Sequence, residues 1–508
     1  MMKVWNRLKL SIKLEYVEWF LLAVGIILRL RQYLANRSLW TDEASLAVNI
    51  VNRTFGGLTQ PLDYHQAAPI GFLFIEKIFI VLLGNRDYIL RLFPLLAGIL
   101  AIYLLHRITR EYFGAAGILA ILIFAMNSWL VFFSSELKQY SSDVTVALLL
   151  IYLSTKCFKE NAQFKDFLWL GAGGVVTIWV SHISIFMLAG IGLGLVVEKI
   201  IRKKYVPFGW ILGLGVSWLV SFGMEYFFIL QYTAADEYFQ IYWRKAFMPL
   251  PPWSDLQWFV KTYYSFILII AGRTDLILVL MIPALALIGS VSLFVRSRHT
   301  ALVIIFPFIA ALAASAFQKY PLSYRFMLFL IPSILLLMTE GVGSIYSFLA
   351  KRQLNLALIL SGIPVVVMLW FLTPIAVDVF KSPQKISEIK PVMEYVGENK
   401  AQEDVIYVYY GSAPAFTYYA PFYDLDPTDA IFGFDSPRKK IALDSFFDDV
   451  EKLQGNDRVW FIFSDIADCG GCEGDMRLFF TNYLDTFGTM LDSSQSTGAG
   501  AYLYDLSP

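Results

Sequence analysis

Long apolar runs alternate with short clusters of charge along most of this chain. Runs lie near 16–34, 88–106, 115–133, 141–157, 167–181, 183–198, 207–230, 274–295, 300–317, 326–349 and 354–375. A helix rising about 1.5 Å per residue needs roughly 20 apolar residues to cross a hydrocarbon core of about 30 Å, so the pattern predicts about eleven membrane-spanning helices. The first run is not a cleavable signal, because no small-residue cleavage site follows it and Arg29 and Arg31 stand at its far end. Two intervening stretches are too long for turns. Segment 35–87 contains the apolar run 70–83, interrupted by Glu76 and Lys77, and reads as an interfacial or re-entrant helix. Segment 231–273 mixes Tyr238, Tyr242, Trp243, Trp253 and Trp258 with Arg244 and Lys245, which suits a lid on the outer headgroups. After residue 376 the period changes to short strand-like runs at 405–410, 459–464 and 501–504, with helical spacing at 475–487. A small α/β domain is predicted there.

Composition fits this picture. The chain is 57% hydrophobic and 16% charged, against roughly 45–50% and about 25% in soluble domains, which excludes an ordinary water-soluble globule. Lys+Arg and Asp+Glu both number 41, and a chain without basic excess lacks the footprint for wrapping nucleic acid. The balance conceals a split. Residues 1–375 carry 31 basic and 19 acidic groups, whereas 376–508 carry 10 and 22. Basic groups fall at every second connection: Lys3, Arg7, Lys9 and Lys13; Arg107 and Arg110; Lys156, Lys159 and Lys165; Lys199 with Arg202, Lys203 and Lys204; Arg296 and Arg298; Lys351 and Arg352. By the positive-inside tendency the N-terminus is cytoplasmic and the C-terminal domain extracytoplasmic, in a multi-pass protein of the plasma (inner) membrane.

On the outer side a second set of polar residues collects. Trp40-Thr41-Asp42-Glu43 follows the first run; Asp63, His65, Gln66 and Pro69 lie in the same loop; Glu136, Lys138, Tyr140 and Asp143 follow the third; Lys319, Tyr320, Tyr324 and Arg325 precede the tenth. The acid pair reads either as an ordinary helix start capped by Thr41 or as chemistry. Outward carboxylates with basic groups at the same depth suit transfer from a lipid-linked phosphate: a carboxylate takes the proton of an attacking hydroxyl while Arg or Lys neutralises the departing phosphate. Arg325 stands against the positive-inside tendency, which favours a phosphate role. No nucleotide-binding or H-E-x-x-H signature competes.

Taken together, Asp42-Glu43, His65-x-x-x-Pro69, the stretch from Leu83-Gly84 to Arg91-Leu92, Tyr140-x-x-Asp143 and Tyr324-Arg325 to Pro332 resemble the polyprenyl-phosphate-sugar-dependent glycosyltransferases of the GT-C superfamily, nearest to family 39. The resemblance covers about residues 15–350. It implies inverting transfer of a sugar from a polyprenyl phosphate to a hydroxyl of a polysaccharide, lipid or protein at the outer face. Asp42 would be the general base with Glu43 beside it. Arg325, with Lys138, Arg244 or Lys245, would hold the phosphate, and His65, Gln66, Tyr140, Asp143 and Tyr324 would line the sugar and acceptor pocket. At Gln66-Ala67-Ala68 the chain lacks the Lys that aminoarabinose transferases carry before this Pro, which speaks against a lipid A acceptor. Metal use varies among such enzymes; these residues fix no cofactor, and a divalent metal is as compatible with them as none.

Other readings stand beside these. His182 suits a hydrogen-bonded structural group as well as a pocket, and Arg244 and Lys245 suit lipid headgroups as well as substrate. Cys469-Gly470-Gly471-Cys472 reads as a loop-stapling disulfide outside the cell, with redox or zinc roles less favoured because no second Cys pair exists. A transporter or flippase of lipid-linked sugars would also need outward polar groups, but transporters place them near the midplane or in repeated halves.

Overall fold

The computed structural model describes residues 2–202, 207–232, 236–433, 439–465 and 476–507. Two compact units result: Met1–Ala35, Ala68–Glu76 and Arg91–Pro383 form the first, and Asn36–Ala67, Lys77–Leu90 and Gln384–Pro508 the second. The second unit is therefore discontinuous in sequence. Most of the loop that the sequence assigns to the membrane part folds with the C-terminal domain.

The first unit is helical. Among the described residues seven helices are long and apolar enough to cross a membrane: Asp87–Tyr112, Ser184–Ile201, Phe208–Leu230, Leu276–Arg296, Arg298–Ala316, Tyr324–Leu349 and Leu354–Lys381. Three further predicted spans are the helices Met2–Leu34, Tyr140–Cys157 and Phe164–Val180. The run 115–133 is not one continuous helix. It breaks into Ile118–Met126 and Ser128–Phe133 at Asn127, whose Oδ1 accepts from the Leu130 N–H at 2.8 Å while its Nδ2 donates to the carbonyls of Ile269 and Ile270 at 2.7 and 2.9 Å. An Asn side chain that caps the next turn competes with helix continuation. Gly289 and Gly341 let Leu276–Arg296 and Ile331–Leu349 meet backbone to backbone; a Cβ at either would collide with the Leu337 or Leu285 carbonyl, the small-residue contact of membrane helix pairs.

Segment 231–273 divides into two halves. Its first half does hold short turns, Glu237–Tyr242, Arg244–Ala246 and Pro252–Ser254. Its second half is an apolar helix, Leu256–Ala271, started by Asp255 accepting from the Trp258 N–H and ended at Gly272 in the left-handed region. Trp258, Ile267, Ile269 and Ile270 are buried.

The second unit is built on a five-stranded sheet ordered β2-β1-β3-β5-β4, with β1 Val405–Val408, β2 Ala430–Phe432, β3 Val459–Ser464, β4 Thr489–Ser496 and β5 Ala499–Asp505. β1 runs parallel to β2 and β3, whereas β5 is antiparallel to β3 and β4. One face is an aromatic core of Tyr407, Phe461, Phe463, Tyr502 and Tyr504 under Phe446 and Phe480. Asp404, just before β1, fixes the strand ends: its carboxylate accepts from Arg458 Nε at 2.6 Å and Trp460 Nε1 at 2.9 Å.

Candidate functional site

In the second unit the helix Thr41–Asn52 carries both acids. Asp42 and Glu43 lie in its first turn, where free N–H groups and the dipole favour negative charge. Their environments differ. Glu43 is fully buried and faces the buried Arg37 at 3.6 Å, while Asp42 stays partly accessible. Of the two, Asp42 is the more accessible carboxylate.

Thr41 is not the cap of this helix. The N-cap position belongs to Trp40, which is extended and offers no oxygen. The cap arrives from 424 residues away: Asp465 Oδ2 accepts from the Thr41 N–H at 2.6 Å and from its hydroxyl at 2.8 Å, and the same hydroxyl contacts the Gly411 carbonyl. Burial, reinforced by the nearby Asp42 and Glu43, pushes the Asp465 carboxyl up to about 6 against the pull of the two Thr41 bonds. Further along, Asn49 Nδ2 donates to the Asp63 carbonyl at 3.2 Å and Asn49 Oδ1 accepts from the Asp63 N–H at 2.9 Å. Lys77 closes the far end by donating to the carbonyls of Ile50 and Val51 at 2.8 and 3.0 Å, the placement that the negative end of a helix favours. The segment leading into the helix is tied down as well. The Leu39 N–H donates to Tyr419 Oη, which donates to Asp87, and Asp87 pairs with Lys390, each at 2.8 Å.

His65 and Gln66 follow in a turn. Tyr64 and His65 have φ of 58° and 48°, His65 is exposed, and Gln66 Nε2 donates to the Tyr64 carbonyl at 3.1 Å. A bulky residue such as Tyr64 in the left-handed region is an uncommon conformation.

In the first unit Arg325 stands at the start of the turn Tyr324–Leu330. Its guanidinium lies 5.6, 5.7 and 5.8 Å from the ring centres of Tyr140, Trp243 and Phe326. Contact with π faces stabilises the cation. Tyr324, at φ 26°, stacks parallel on Trp129 at 5.7 Å. The turn is braced by Tyr320 Oη donating to the Phe326 carbonyl at 2.8 Å and by the Leu322 N–H donating to the Ala246 carbonyl at 2.9 Å. Asp143 is buried and accepts from Ser181 Oγ at 2.6 Å. His182 Nε2 pairs with the buried Glu225 at 2.8 Å, the structural reading of that histidine. Lys138 is buried, whereas Arg244 and Lys245 are exposed; their neighbour Trp243 is the residue of that turn that reaches Arg325.

Cys469 and Cys472 lie outside the described residues. Among the described residues no three His, Cys, Asp or Glu side chains gather as a metal site. The sequence did not single out Arg37, Asp465 or the Trp243 contact. The nearest signal for Asp465 was its place at the carboxyl end of a buried apolar strand, where α/β sheets hold their functional groups.

Residues 67–222 match the family model described as dolichyl-phosphate-mannose-protein mannosyltransferase. No curated protein matches the chain in sequence. Among solved structures, ArnT from Cupriavidus metallidurans in the apo state is similar over 99% of this chain and 98% of its own, with a TM-score of 0.53 and 13% identity. The same protein bound to undecaprenyl phosphate gives 0.55 and 11%, over 97% of both chains. The archaeal oligosaccharyltransferase AglB from Archaeoglobus fulgidus, in complex with an inhibitory peptide and a dolichol-phosphate, gives 0.50 and 11% over 96% of this chain and 74% of its own. The chain has the fold of the GT-C membrane glycosyltransferases.

Proposed function

We propose that this multi-pass membrane protein is a glycosyltransferase that moves a sugar from a polyprenyl-phosphate donor to a hydroxyl acceptor at the extracytoplasmic face, with inversion. The observation that carries the reading is the division of labour in the first turn of Thr41–Asn52: Glu43 is sealed against Arg37 while Asp42 remains accessible on a helix clamped at both ends. Support comes also from the mannosyltransferase family match at 67–222 and from a fold shared with proteins solved with undecaprenyl phosphate or dolichol-phosphate.

In the reaction Asp42 takes the proton of the acceptor hydroxyl. The oxygen forms a bond to the anomeric carbon as the bond from that carbon to the phosphate oxygen breaks, and polyprenyl phosphate departs with the electron pair. Attack opposite the leaving group inverts the centre. Arg325 neutralises the departing phosphate through charge-assisted hydrogen bonds, in the planar bidentate geometry that a guanidinium offers. Tyr140, Tyr324, Asp143, His65 and Gln66 are assigned to the sugar and acceptor, and Lys138, Arg244 and Lys245 to the phosphate or lipid headgroups.

Mass analysis of lipid-linked sugars in a deletion strain tests this. The reading predicts that one polyprenyl-phosphate sugar accumulates and is consumed when the purified protein is returned with acceptor-bearing membranes. Vesicles in which the protein carries that lipid across the bilayer without consuming it would point to a flippase instead. Reporter fusions after Lys204 and after Phe380 are expected on opposite sides of the membrane.

A further inference from the structure

We infer that Asp465, at the carboxyl end of β3, is the positioning residue that sets the first turn of Thr41–Asn52 and with it the Asp42 carboxylate. The inference rests on the reading of Asp42 as base.

The first N–H groups of a helix have no partner within it, and Trp40 supplies no side-chain cap. The second unit supplies one from its sheet. β1 and β3 run parallel, so their carboxyl ends point the same way. Gly411 lies beyond the end of β1 and Asp465 beyond the end of β3, and both meet Thr41. Each is held in turn. The two strand ends are cross-tied by the Ser464 N–H donating to Ser412 Oγ at 2.6 Å and by that hydroxyl donating to the Ser464 carbonyl at 3.3 Å. The Asp465 N–H donates to the Gly498 carbonyl at 3.3 Å, and Asp465 itself occupies the left-handed region at φ 51°, a conformation that persists when its surroundings impose it. The chain of contact runs from the β4–β5 turn through Asp465 and Thr41 to the residue next in sequence, Asp42.

The residue type adds to the argument. Asn or Ser would cap the helix without a charge, yet the position holds a third acid beside Asp42 and Glu43. Three acids gathered at one helix start, Glu43 buried and Asp42 and Asp465 half-buried, are a feature of sites rather than of stability. The Thr41 hydroxyl has one proton for two acceptors, the Gly411 carbonyl and the Asp465 carboxylate.

The test uses the full-length protein in lipid nanodiscs and two readouts. In hydrogen-exchange mass spectrometry Asp465→Ala is expected to speed exchange in the peptide spanning 38–46 by about tenfold while β1 and β3 stay protected. In transfer assays it is expected to lower kcat by about 10–100-fold with little change in donor KM, the mark of a misplaced base rather than lost binding. Asp465→Asn, which keeps an acceptor for the Thr41 N–H, should restore protection and most of kcat while altering the pH profile. Unchanged exchange and turnover in Asp465→Ala would overturn the inference, as would an Asp465→Asn variant no better than Asp465→Ala. If Asp465→Ala does not fold, Asp465→Gly, which removes the acceptor at a left-handed backbone position, and Asp465→Asn decide: faster exchange in the first and near-normal exchange in the second support the inference, and equal exchange in both contradicts it. Full turnover by Asp42→Asn would remove the base reading, yet the exchange contrast would still decide whether Asp465 sets the helix.

Discussion

The two halves of the candidate machinery hold their charged groups by opposite means. In the second unit the acid-bearing turn is fixed by directional bonds: Asp465 to Thr41 at one end, Lys77 to Ile50 and Val51 at the other, and Arg37 against the companion acid. In the first unit Arg325 lies among the faces of Tyr140, Trp243 and Phe326. A general base needs a defined angle and distance to the proton it removes, which hydrogen bonds enforce. A phosphate clamp needs a fixed positive charge, and aromatic faces hold a cation by attraction to the ring quadrupole. On the proposed reading, rigid capping would serve the first need and ring contact the second.

Substitutions can separate these two designs. The largest effect is expected at the acids, and it should be asymmetric. Asp42→Asn is expected to lower kcat about 10³-fold, whereas Glu43→Gln, which leaves the buried Arg37 without its charge partner, should mainly lower thermal stability. Equal loss of turnover in both, at unchanged stability, would erase the distinction. Arg325→Ala is expected to raise the donor KM by about 10–100-fold, the worth of one or two charge-assisted bonds, checked by donor titration. Trp243→Ala removes only a ring face and is expected to cost about 3–30-fold in the same titration; a loss as large as that of Arg325→Ala would mean that Trp243 touches substrate itself. The smallest effect concerns Asp465. Its carboxyl is raised to about 6 by burial and by Asp42 and Glu43, above the ordinary value of about 3.9. An acid whose folded value is raised contributes stability that is complete below the ordinary value and is lost as pH rises through about 6. The melting temperature should therefore fall by about 2–4 °C more between pH 5 and 7.5 in the wild type than in Asp465→Asn, read by thermal scans of both proteins.

Much of this organisation was legible in the sequence, for reasons that differ by element. The helices were readable because a membrane span must be apolar throughout, and β3 and β5 because they are buried apolar strands. β4 was not: Thr489–Ser496 is a polar edge strand that alternates between exposed and half-exposed positions, so its period carries little hydrophobic signal. The helix break at Asn127 was hidden because a single Asn in an apolar run does not reveal its Ile269 and Ile270 partners. Asp42, Tyr140 and Arg325 were readable as polar groups beside the ends of apolar runs. Their partners were not, since Asp465 lies 424 residues from Thr41 and Trp243 sits in an aromatic stretch that resembles any membrane interface. Patterns reveal what a residue buries itself in, but not which distant chain end it meets.

The central claim is that Asp42 deprotonates the acceptor in a transfer from a lipid phosphate. A single-turnover experiment tests it most directly: purified wild-type and Asp42→Asn protein, each loaded with the polyprenyl-phosphate sugar that accumulates in the deletion strain, are mixed with acceptor, and release of polyprenyl phosphate is followed by mass spectrometry. The account predicts stoichiometric release by the wild type and release about 10³-fold slower by Asp42→Asn with the donor still bound. Release at the wild-type rate by Asp42→Asn would contradict it.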